Sequence, residues 1–123
     1  MRRIFAIGET VYDIIFKDGQ PQAAKPGGAM LNSSVSLGRM GLPVHFISEY
    51  ADDNVGSLIN DFLSGNGVDT SHVHHYRDGN TKLAMAFLDE KNDASYTFYE
   101  KYPVKRLDID LPAIGPDDLL LCG

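Results

Sequence analysis

A chain of 123 residues with 43% hydrophobic and 23% charged content is long enough for one domain with a true core and too short for two. Its net charge of -6 comes with no basic run beyond Arg2-Arg3 and Lys105-Arg106, so no nucleic-acid partner is expected. No segment reads as a membrane span or signal peptide, and the single cysteine, Cys122, permits no intrachain disulfide; a cytoplasmic protein without a membrane partner is expected.

Ile4-Phe5-Ala6-Ile7, closed by Gly8, has the pattern of a strand buried on both faces of a parallel sheet. Ligands gather beyond the carboxyl ends of such strands, so the residues after Gly8 are the first place to look for a site. There Val11 to Phe16 alternates as a strand before a turn at Lys17-Asp18-Gly19, with Asp13 among apolar neighbours. A carboxylate in that company needs hydrogen-bond donors or a wet cleft. Asp13 is therefore either an acceptor in a turn or a ligand-binding group. Residues 20 to 26, bounded by prolines, fit an edge strand returning toward the first sheet.

Pro26-Gly27-Gly28-Ala29 then opens a helix that stops at Gly41. Free N–H groups at a helix start, approached closely through glycine, suit hydroxyls, carboxylates or phosphate. Asn32 falls about one turn after Gly28 and can face the same place. The plainer reading is a turn before an ordinary core helix.

Val44 to Glu49 is a second buried strand. Asp52 or Asp53 is placed to cap a helix whose Val55, Leu58, Ile59, Phe62 and Leu63 form one apolar stripe, with Gly65 as its left-handed terminator. Capping accounts for the acid pair without metal or acid–base chemistry. His72 and His74 would share a face on a strand, yet only Asp69 lies near, and a solvated strand edge explains them better than a metal site.

Thr81 to Asp89 and Ser95 to Tyr102 flank a polar turn as a hairpin, each arm with bulky residues on one face and smaller ones on the other. Such a ribbon must cover a site or bury against a second subunit. Pro103 to Pro116 reads as loop, and Asp117 to Gly123 begins another buried strand that holds Cys122 as a small buried residue. A parallel-type strand without its crossover helix is an abrupt ending, so the chain is expected to be cut off inside a larger fold.

Gly8-Glu9 with Asp13, Gly27-Gly28-Ala29 with Asn32 and Ser34, then Gly41, Asp52-Asp53, Gly56, the hairpin and the closing strand follow one another in an order that resembles the N-terminal part of the ribokinase-like (PfkB) carbohydrate kinases, the fructokinase type above all. The resemblance covers nearly the whole chain. It implies an α/β fold: an incomplete ribokinase-like fold with a mostly parallel sheet, flanking helices and a small β-sheet lid. Residues 1–123 would be the N-terminal part of one domain, with lid strands at about 11–25 and 81–100. It further implies ATP-dependent phosphorylation of a sugar hydroxyl, with ATP and Mg2+ serving the full-length enzyme and neither binding well to this chain.

Asp13, Gly27, Gly28 and Asn32 are implied to hold the sugar hydroxyls, Tyr96 or Phe98 to lie over the sugar, and the lid to serve as a homodimer contact. The general base, the anion hole and most of the ATP site are implied to lie beyond Gly123, and no P-loop stands in this chain. No catalytic residue and no metal ligand is assigned here, and the fragment alone is expected to be inactive. Glu100-Lys101 follows Tyr99 where many sugar kinases of the family have an arginine. That departure counts against an acidic sugar, which needs a cation; a nucleoside or 2-keto-3-deoxygluconate kinase of the same family is the alternative among enzymes. A non-catalytic sugar-binding or dimerisation module is the alternative of a different class.

Overall fold

The computed structural model describes residues 2–123. In chain order the elements are β1 (Ile4–Ile7), β2 (Val11–Lys17), β3 (Gln20–Gly27), α1 (Ala29–Arg39), β4 (Val44–Ala51), α2 (Asn54–Gly65), β5 (Val68–Asp69), β6 (Val73–Tyr76), β7 (Asn80–Leu88), β8 (Ala94–Lys101) and β9 (Leu119–Cys122). They form an α/β fold with two sheets.

The first sheet is parallel throughout and runs β5-β4-β1-β9, with β6 continuing alongside the second half of β4. β1 takes the middle because it is apolar on both faces: Phe5 and Ala6 are fully buried and Ile4 nearly so. On one face Ile4, Ala6, Val44 and Phe46 pack against Leu31 and Val35 of α1 and Ile59 and Leu63 of α2. Each such side chain contributes roughly 1.5–3 kcal/mol by leaving water. On the other face the Phe5 ring stacks on His45 at 5.0 Å, with His72 tilted against both rings. His72 thus precedes β6 and helps cover Phe5, whereas the sequence placed it on a strand edge with His74.

The second sheet runs β3-β2-β7-β8, with β2 and β7 parallel and both outer pairs antiparallel. Asp18 and Gly19, at φ 53° and 74°, make the tight turn between β2 and β3. Register decides which side chains share a face. Asp13 pairs with Lys25 and Ala84, Ala84 with Phe98, and Ala86 with Tyr96, so these six share one face. Ile14, Phe16, Met85 and Phe87 occupy the other, where the rings of Phe16 and Phe87 stack at 5.0 Å. Leu83, Met85 and Phe87 of β7 therefore lie on the face opposite Tyr96 and Phe98 of β8, and those two aromatics pair with the alanines of β7.

The two sheets are tied together at Thr81, which is 2% exposed. Its N–H donates to Asp53 Oδ2 at 2.9 Å, its hydroxyl donates to Asp53 Oδ1 at 2.7 Å, and its Oγ1 accepts from Ala51 N at 3.0 Å. Asp53 also caps α2 by accepting from Gly56 N at 2.7 Å, which settles the choice between the two acids.

Two further expectations are corrected. Gly65 stays within α2, because Asn66 N donates to Leu63 O and Asn66 Nδ2 donates to Phe62 O; the left-handed residue is Gly67, at φ 81°. The closing strand β9 does pair with β1, yet it is an edge and not a buried strand. Leu119 and Leu120 are 43% and 48% exposed and Cys122 is exposed, since no described element covers that side.

Candidate functional site

Asp13 is placed by the pairing of β2 with β3. Its Oδ2 lies so close to Gly27, which pairs with Val11 on the neighbouring strand, that a Cβ there would overlap it and the carboxylate would have to move aside. Among the described residues no side chain or backbone donor hydrogen-bonds to Asp13. Burial raises its carboxyl above the ordinary value, and the ammonium of Lys25 across the strand pair only partly offsets that. Asp13, Lys25, Ala84 and Tyr96 line a hollow of about 300 Å³ on this face. Phe98, one pair further along, stacks its ring on that of Tyr96 with centroids 6.1 Å apart.

Gly28 is the N-cap of α1, and no side chain caps the helix start. Its φ of 119° is closed to other residues, and a Cβ would overlap the Glu9 carbonyl. Asn32 N donates to Gly28 O at 2.9 Å as the first helical bond. A second hollow of about 370 Å³ lies at this helix start, where the first N–H groups have no intrahelical acceptor; it is lined by Glu9, Thr10, Gly28, Ala29 and Lys82 among others. Lys82 reaches this hollow from β7, with its Nζ 3.5 Å from Glu100 Oε2 and 5.1 Å from the Phe98 ring centroid.

A third hollow, of about 300 Å³, sits at the carboxyl ends of β1 and β4. Ser48 Oγ donates to Gly8 O at 2.7 Å, which leaves Thr10 Oγ1 to donate to Ser48 Oγ at 2.8 Å. Glu49, 9% exposed, accepts from Arg106 Nε at 2.8 Å and from Leu107 N at 2.6 Å. The guanidinium of Arg106 lies 3.6 Å from the Tyr102 ring centroid. Burial, with the Glu100 and Glu9 carboxylates, pushes the Tyr102 phenol up to about 12.

Of the residues singled out from sequence, Asp13, Gly27, Tyr96 and Phe98 come together on one face of the second sheet, and Gly28 stands at the adjoining helix start. Asn32 is exposed on α1 and lines none of the three hollows. Thr10, Ser48, Glu49, Lys82 and Arg106 went unnoticed. Glu49 carried a signal, an acid closing an otherwise apolar strand, but its partner lies 57 positions away and nothing local announces the pair.

These features define a class of protein: an α/β domain from whose central strand a second, mixed sheet rises, with polar groups gathered where the two meet. A model of the pfkB family carbohydrate kinases matches residues 1–120, and the chain belongs to that family. It is 32% identical to a fructokinase of Rhizobium leguminosarum bv. trifolii over 121 residues, 93% of this chain and 36% of that protein. A 5-dehydro-2-deoxygluconokinase of Geobacillus thermodenitrificans is 36% identical over 74 residues, 59% of this chain and 22% of that protein. The solved structure of a sugar kinase from Pyrococcus horikoshii in complex with ATP superposes with a TM-score of 0.69 at 27% identity, over 78% of this chain and 33% of that one. The chain thus spans about a third or less of the length of these relatives.

Proposed function

We propose that this chain is the sugar-binding and lid portion of an ATP-dependent sugar kinase of fructokinase type, residues 1–123 forming the N-terminal part of one ribokinase-like domain. The observation that carries this reading is Asp13, held without a hydrogen-bond donor against Gly27 on the face shared with Tyr96 and Phe98. A carboxylate left open there is suited to accept from two neighbouring sugar hydroxyls. The free N–H groups at the start of α1 are suited to donate to others; Asn32, exposed on the same helix and outside the hollows, is left out of the set. Tyr96 and Phe98 lie over the bound ring, and the second sheet acts as the lid that excludes water.

In the reaction the bound sugar's hydroxyl oxygen attacks the terminal phosphorus of ATP, ADP leaves, and the hydroxyl proton passes to a base outside this chain. This chain's part is to fix the hydroxyl's position, which removes much of the entropic barrier. Among the described residues no group of three or more His, Cys, Asp or Glu is placed to hold a metal ion. No helix among the described residues is long and apolar enough to cross a membrane; a cytoplasmic location is part of the proposal.

The test is sugar-dependent ADP release by the full-length enzyme. Asp13→Ala is expected to lower kcat/KM for the sugar by about a hundredfold, the loss of a charge-assisted hydrogen bond inside a closed cleft. Wild-type kinetics in that variant would remove Asp13 from the sugar site.

A further inference from the structure

Among the described residues, every Lys or Arg that lines these hollows already has a carboxylate beside it. Lys25 stands opposite Asp13 across the strand pair. Lys82, only 21% exposed, is 3.5 Å from Glu100, and Arg106 is 2.8 Å from Glu49 while it stacks on Tyr102. Glu9 lines both hollows at the end of β1 and forms no ion pair among the described residues. The start of α1 supplies roughly half a positive charge, less than the full negative charge of Glu9. An incoming carboxylate would have to displace Glu100 or Asp13 from its ammonium and would meet Glu9 as it did so. It can only accept hydrogen bonds, and so can Asp13, Glu9 and Glu100. A sugar hydroxyl both donates and accepts, so it can satisfy the carboxylates and the Lys82 ammonium together.

We propose that the Lys82–Glu100 pair, with Glu9 unpaired beside it, makes this site selective for an uncharged polyhydroxylated sugar against an acidic one, and that Glu100 sets the distinction. The inference rests on the sugar-kinase reading and narrows its substrate class. Glu100 neutralises the Lys82 ammonium, the one among the described residues that reaches the hollow at the α1 N-terminus. Without that charge, Lys82 is free to receive a substrate carboxylate.

The experiment compares fructose with 2-keto-3-deoxygluconate as substrates of the full-length enzyme, alongside calorimetric binding of both. The wild type is expected to favour fructose. In Glu100→Gln the ratio of acid to neutral kcat/KM rises about tenfold, the worth of one charge-assisted contact, and the gain disappears in Glu100→Gln/Lys82→Met. A wild type that prefers the acid, or a ratio indifferent to Glu100, overturns the inference and leaves the kinase reading intact. A wild type that binds fructose and rejects the acid, yet phosphorylates neither, supports the charge argument and sinks the kinase reading. Binding of neither sugar overturns both.

Discussion

Asp13 occupies a position that works against its own charge. Burial outweighs Lys25 and raises its carboxyl above the ordinary value of 3.8, so the folded chain favours the protonated form more than the unfolded chain does. The contribution of such a group to stability is complete below its unfolded value and is lost as pH rises through the raised one. Asp13→Asn keeps the shape without the charge. It is therefore expected to melt above the wild type at pH 7 and to lose that margin below about pH 4, the range of an ordinary carboxyl. Thermal melts followed by circular dichroism at the two pH values measure it, and a margin indifferent to pH would show that the charge is not strained. Gly27 is the counterpart that makes room for this carboxylate.

Among the elements, the joint at Thr81 determines how the second sheet stands on the first. One carboxylate, Asp53, holds the start of α2 and the root of β7 together. Burial works to raise its pKa, but the N–H groups of Thr81 and Gly56 and the Thr81 hydroxyl prevail and hold it below the ordinary value. Thr81→Val keeps the volume and the N–H donor but removes the hydroxyl that donates to Asp53 Oδ1 and accepts from Ala51 N, which leaves the buried Ala51 N–H unpaired. A loss of about 1–3 kcal/mol is expected in urea unfolding, while Thr81→Ser keeps the hydroxyl and stays within about 1 kcal/mol of wild type. Equal losses in the two variants would point to the methyl group and not the hydrogen bonds. The sequence announced the α2 half of this joint, since an acid three residues before a glycine at a helix start is a local signal. The Thr81 half was silent: a threonine at the head of a strand looks the same whether or not an aspartate 28 positions earlier is waiting for it.

For the molecule as a whole, local pattern carried as far as local forces do. The apolar runs of β1 and β4, the stripe of α2 and the glycine-led start of α1 were each readable, because burial of one face dictates their periodicity. What could not be read was register across strands far apart in sequence. Nothing in the hairpin alone says that Tyr96 and Phe98 share a face with Asp13, or that Phe16 meets Phe87. That second fact bears on assembly. The face opposite Asp13 presents Ile14, Phe16, Met85 and Phe87 together, with Phe87 43% exposed. A four-stranded sheet with rings stacked on its far side gains by covering them, and a second copy brings the same apolar surface to the same contact. The protein is accordingly expected to sediment as a dimer, and Phe87→Glu, which buries a charge against its own symmetry mate, to sediment as a monomer with its circular dichroism spectrum unchanged. If wild type and variant sediment alike, this face serves the monomer only, and the contribution of Phe87 is confined to its stack on Phe16.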